Sequence, residues 1–128
     1  MPAERAIRIE AGSVRLYAIL AATPTAAAIW EALPLEGPAR RQPHAVLLDV
    51  SLRCPLELPP KGAMKAGDLA LRTDAPAIAL HFGPAATDPP ADRVPEPPAN
   101  IFGRITGDVS RLERVEEGMR VRLTALEG

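Results

Sequence analysis

Few residues in this chain have side chains suited to chemistry. There are two histidines, His44 and His81, and a single cysteine, Cys54. A metal site needs several nitrogen, sulfur or carboxylate ligands converging on one point, and neither histidine has a ligand-type neighbour at i+2 or i+4. The sequence therefore predicts no metal, and no motif in it calls for a cofactor. Cys54 sits in Leu52-Arg53-Cys54-Pro55. A reactive thiolate needs a neighbouring base or a positive field, and Arg53 alone supplies little of either, so Cys54 reads as a structural or merely exposed thiol. Ser13, Ser51 and Ser110 stand in no nucleophile-elbow context. Gly103 and Gly107 do not form a phosphate loop, because no lysine follows them. Gly67-Asp68 reads as a turn in which the aspartate bonds nearby backbone amides.

The elements that must hold these residues are mostly strands. Ala6-Ile7-Arg8-Ile9-Glu10 and Val14-Arg15-Leu16-Tyr17-Ala18-Ile19-Leu20 alternate apolar and polar residues around Ala11-Gly12-Ser13, the pattern of a hairpin with one wet face. Thr23 suits an N-cap, Pro24 the first helical position and Pro34 a stop, which predicts a helix between them. Its apolar stripe is Ala26, Ile29, Trp30 and Leu33, at i, i+3, i+4 and i+7. The Pro-, Gly- and Arg-rich segment from Pro34 to Pro43 reads as a loop. Ala45–Leu52, Leu69–Thr73 and Ala77–Phe82 read as strands, and Gly83-Pro84 ends the last of them because proline lacks the amide hydrogen a ladder needs. Prolines crowd the segment from about 84 to 99, which reads as a long loop. Asn100–Gly107 reads as a strand in which Gly103 marks a bulge or a close backbone approach. Asp108 is placed to cap a short helical turn, and Met119–Leu126 alternates as a final strand. The sum is a mainly β chain in one domain spanning 1–128, a small barrel or sandwich with one helix.

Composition narrows the function classes. The net charge of -1 gives no broad basic field, so neither nucleic acid nor an anionic membrane is an expected partner. No apolar run approaches the ~20 residues of a membrane span, and charges at Glu4, Arg5, Arg8 and Glu10 interrupt any leader-like core. With one cysteine no disulfide is called for within the chain, and a cytoplasmic location is expected. Only 3% of the residues are aromatic against 47% hydrophobic, so the interior must be aliphatic.

The order of motifs carries a resemblance. The hairpin, a helix closing on Ile29-Trp30-Glu31-Ala32-Leu33-Pro34-Leu35-Glu36-Gly37, then Gly67-Asp68, Phe82-Gly83-Pro84 and Ile101-Phe102-Gly103-Arg104-Ile105-Thr106-Gly107-Asp108 together resemble the small bacterial and archaeal cyclophilin-like families of unknown function. The resemblance runs from about Ala6 to Leu126. It implies a small closed β-barrel, a helix capping one opening, a short second helical turn and a cleft on the barrel's outside. Two features common in the superfamily are missing. The tryptophan and glutamate motif of the strand after the helix is replaced by Gln42-Pro43-His44-Ala45-Val46-Leu47-Leu48, and no segment matches the arginine, phenylalanine and glutamine signature of prolyl isomerases.

In such a barrel His44, His81, Phe82, Thr87, Asn100 and Phe102 fall on or beside segments that could line the cleft. They combine an apolar floor with a few polar groups, which suits a small molecule or an extended peptide. Because side chains alternate along a strand, only one of His81 and Phe82 should face that cleft. The expected function is binding without isomerase activity. The alternatives are an enzyme, either a residual isomerase or a small-molecule hydrolase or lyase, and an interface module that pairs as a homodimer.

Overall fold

Eight antiparallel strands close into a barrel in the order β1-β2-β7-β5-β6-β4-β3-β8. The computed structural model describes residues 5–55, 66–73, 75–82 and 99–126. The strands are β1 Ala6–Ala11, β2 Val14–Leu20, β3 Leu35–Gln42, β4 Ala45–Asp49, β5 Asp68–Arg72, β6 Ala77–His81, β7 Ala99–Ile105 and β8 Arg120–Leu126. Among the described residues, one α-helix, α1, spans Pro24–Ala32, and a 3₁₀ helix spans Val109–Arg114.

The alternation seen in β1 and β2 becomes the wall of the barrel. Ile7, Ile9 and Ala11 pair with Ala18, Leu16 and Val14 and are buried, while Arg8, Glu10, Tyr17 and Arg15 turn outward. Aliphatic side chains from every strand fill the interior, and Phe102 is the largest fully buried side chain there. Helix α1 starts as its sequence predicts. Thr23 has extended backbone and its hydroxyl accepts from the Ala26 amide at 3.1 Å, with Pro24 next in the first turn. Ala26 and Ile29 are buried in the barrel's core cluster, and Trp30 and Leu33 pack half-buried at its margin, so the helix caps one opening. The short helical turn is capped by Asp108, whose carboxylate accepts from the Ser110 amide and hydroxyl.

The segment from Pro34 to Pro43 departs from expectation. It is strand β3, pairing with β8 through Leu35–Pro38 and with β4 through Ala39–Gln42. Proline is tolerated there for a geometric reason. The Ala39 amide donates to the Met119 carbonyl on the β8 side, so the amide position of residue 38 points the other way, towards β4. Pairing with β4 begins only at Ala39, and no ladder bond is lost.

The outer face carries an ordered charge pattern. Across β3, β8, β1 and β2 the register sets Glu36 opposite Arg122, Arg122 opposite Glu10 and Glu10 opposite Arg15. Arg15 lies 3.4 Å from Glu10, and Arg120, one pleat along, bonds Glu36 at 3.0 Å. The hydrogen bond and charge of Arg120, with Arg122 beside it, hold the Glu36 carboxyl below the usual carboxylate range.

Candidate functional site

Two outer regions of the barrel hold the groups that bear on function. The first lies where β6 ends. Ile78 and Leu80 point inward, so alternation turns His81 outward, opposite Ala45 of β4. The His81 carbonyl accepts from the Gly67 amide at 2.7 Å. Gly67 has φ +98°, a conformation that L side chains rarely adopt, and this turn delivers Asp68 as the first residue of β5. Burial lowers the His81 pKa below its ordinary value; the Asp68 carboxylate opposes that shift, and the positive potential of His44 and Arg72 adds to it. The Nδ1 atom of His81 is buried with no hydrogen-bond partner among the described residues.

Phe82 follows and turns the other way. It is nearly buried against the interior cluster, the Arg41 guanidinium lies 4.8 Å from its ring centroid, and its amide donates to the His44 carbonyl at 3.0 Å. His44 itself is exposed in the turn between β3 and β4. The fold thus gathers His44, His81 and Phe82 at one corner of the barrel, with His81 the member of the last pair that faces outward.

Asn100 and Phe102 do not join them. Both are buried, and both point into the barrel instead of lining an outer cleft. Asn100 donates from Nδ2 to the Thr25 hydroxyl at 3.0 Å and to the Pro55 carbonyl at 2.8 Å, tying β7 to the capping helix. Along β7 the register with β5 shifts between Leu69 and Ala70, so Phe102 is the extra residue of a bulge. In a barrel this poor in aromatics its ring fills space that aliphatics leave, and burying it inward removes the most apolar surface from water. Thr87 lies outside the described residues.

The second region is an open groove of about 1060 Å³ beside the junction of β2 and β7, which the sequence reading missed. Ile19, Ile101 and Gly103 contribute to its strand side, and Ala22, Thr23, Pro24 and Ala27 border it at the start of α1. Its charged members are Arg5, Arg104 and Asp68. The geometry depends on Gly103. A β-carbon there would stand 2.9 Å from the Ile19 carbonyl oxygen, so only glycine lets β7 approach β2 this closely. The Ala21 amide still reaches the Phe102 carbonyl at 2.8 Å, after which the chain leaves the sheet for the helix and the groove opens. Small residues at 21, 22 and 27 leave its volume unfilled.

One outward row links the two regions. Ile19 stands opposite Arg104, and Arg104 opposite Asp68, which also lies within electrostatic reach of His81. The available sequence signals were Arg104 directly after the bulge glycine and Asp68 directly after a turn glycine. Chemically the groove offers apolar contact, two guanidinium groups and one carboxylate, the equipment of a binding site. Among the described residues, no cluster of three or more His, Cys, Asp or Glu is placed to hold a metal ion. No helix among them is long and apolar enough to cross a membrane.

Comparison with known proteins agrees with this architecture. The chain is similar to a hypothetical protein from Archaeoglobus fulgidus known from a solution structure, with 26% sequence identity, a TM-score of 0.70 and 94% of each chain covered. No curated protein matches it. The family model described as cyclophilin-like matches residues 5–124, which takes in both helices, β1 to β7 and β8 as far as Thr124, and the chain belongs to the cyclophilin-like family.

Proposed function

We propose that this protein binds a small molecule or a short peptide segment on the outside of its barrel and does not act as a prolyl isomerase. The observation that carries the reading is the groove between β2, β7 and α1, about 1060 Å³ in volume, where an apolar strand surface meets a few charged side chains. Pockets of that size and mixture suit ligands of metabolite or short-peptide size. The absence from the sequence of the arginine, phenylalanine and glutamine signature speaks against catalysis of proline isomerisation. A cytoplasmic setting is part of the proposal and is in keeping with the free thiol of Cys54.

The test is a thermal-shift screen against a metabolite and peptide panel, followed by amide chemical-shift mapping of the hits. Binding should move the amides of Ala22, Ile101, Gly103 and Thr106, and melting curves that stay flat across the panel would count against it. In parallel, micromolar protein should leave the cis/trans exchange rate of a proline tetrapeptide unchanged.

A further inference from the structure

We infer that the groove recognises a monoanion, a carboxylate carried on an apolar body, through Arg5 and Arg104. The inference rests on the binding reading above and adds the chemistry of the ligand. Both guanidinium groups border the groove, and neither forms an ion pair with a described residue. Three exposed arginines elsewhere on the barrel are paired, Arg15 with Glu10, Arg40 with Asp49 and Arg120 with Glu36. The exposed Arg114 and Arg122 form no ion pair with a described residue either, and what distinguishes Arg5 and Arg104 from them is that they border the groove. Arginines in a concave site without a carboxylate partner of their own favour an anionic guest.

Position supports the same reading. Arg104 is held on β7 opposite Ile19, next to the Gly103 contact, so its base is fixed by the sheet. The Arg5 carbonyl accepts from the Leu20 amide at 2.8 Å, and its guanidinium lies 5.4 Å from the Trp30 ring centroid. Stacking on an aromatic face engages the flat surface of a guanidinium and leaves its in-plane N–H donors able to fork onto a carboxylate. Ile19 and Ile101 border the same space and would cover the apolar remainder. The Asp68 carboxylate bordering the same space selects the valence of the guest, because it repels a phosphate dianion more strongly than a singly charged carboxylate. The carboxylate could belong to a free organic acid or to the C-terminus of an apolar peptide.

Amide chemical-shift titration of the full chain tests this with five probes: hexanoate, hexanamide, inorganic phosphate, and an apolar tripeptide with a free or an amidated C-terminus. Hexanoate or the free tripeptide should shift the amides of Ala22, Ile101, Gly103 and Thr106, and whichever of the two binds tighter identifies the source of the carboxylate. The matching amide should bind about tenfold to a hundredfold more weakly, the range of a hydrogen bond to a charged group. Arg104→Gln and Arg5→Gln should each lose that preference while amide binding stays constant, and Arg104→Lys should retain part of it. Equal binding of acid and amide, or phosphate binding more tightly than hexanoate, would overturn the inference and leave the groove reading intact. Should no probe move the groove amides, both fall together. Should one arginine variant not fold, the acid-to-amide ratio of the native chain and of the other variant decides.

Discussion

Asn100 of β7 donates one side-chain amide to two acceptors that lie far from it in the chain, the Thr25 hydroxyl at 3.0 Å and the Pro55 carbonyl at 2.8 Å. A buried amide that satisfies a helix residue and a loop carbonyl together fixes where α1 sits over the barrel. Asn100→Ala should lower stability by about 1–3 kcal/mol, the usual cost of withdrawing a donor from buried polar groups. Urea denaturation checks this, with the midpoint falling at unchanged slope. A double-mutant cycle with Thr25→Val should show coupling, and strictly additive effects would remove the proposed tie.

Gly103 supports a second prediction. Adding a methyl group 2.9 Å from the Ile19 carbonyl must push β7 away from β2, and over-packing of this kind costs about 1–3 kcal/mol. Gly103→Ala should also weaken hydrogen-exchange protection of the Ala21 and Thr106 amides, whose acceptors are the Phe102 and Tyr17 carbonyls across the same junction. Unchanged protection there would mean that the seam relaxes elsewhere.

The outward imidazole of His81 makes stability depend on pH. Its folded pKa lies below the ordinary 6.5, chiefly through burial. The unfolded chain therefore takes up a proton before the folded one does. Above pH 6.5 the contribution is fully present, and it is lost as the pH falls through the folded value. Denaturation at pH 7.5 and pH 5 should show the native protein losing stability on acidification and His81→Gln losing less. An NMR titration of His81 should have its midpoint below 6.5.

Acid should act on Glu36 in a lower window. Its carboxyl is held below the ordinary 4.5 by Arg120, through a hydrogen bond and charge, and by Arg122. A depressed carboxylate contributes above its unfolded pKa and loses that contribution as the pH falls through the folded one. The native chain should exceed Glu36→Gln in stability above pH 4.5, and the two should converge as the pH falls further. The group is exposed to solvent, so high salt should shrink the difference.

The bidentate contact of Arg40 with Asp49, at 2.7 and 2.9 Å, is geometrically the best ion pair described, yet both side chains are about half exposed. Solvent screening limits such pairs, so a double-mutant cycle should give a coupling below about 1 kcal/mol. A larger value would imply that the pair is drier than its exposure indicates.

Much of the barrel was legible because its signals are local. The hairpin rests on alternation in β1 and β2, α1 on Thr23 and Pro24, and the bulge on Gly103. β3 was not legible, since its proline is harmless only by virtue of which neighbour its amide position faces, and that depends on strands remote in the chain. Alternation separated His81 from Phe82 correctly, because only neighbouring residues are involved. The inward placement of Asn100 and Phe102 needed the register of β5 against β7. The groove is a gap between β2, β7 and α1, and a gap leaves no pattern in any one of them.

The row Glu36, Arg122, Glu10 and Arg15 has a consequence for folding. Alternating hydrophobicity forbids a one-residue slip between strands, because that would turn the core residues outward, but a two-residue slip keeps every apolar side chain inside. Charge order detects what hydrophobicity cannot. Sliding β1 so that Arg8 takes the place of Glu10 would set it against Arg122 on one side and Arg15 on the other, two like-charge pairs where the native register has two attractive ones. The surface charges thereby proofread the alignment of a strand that the oily interior would accept in more than one position.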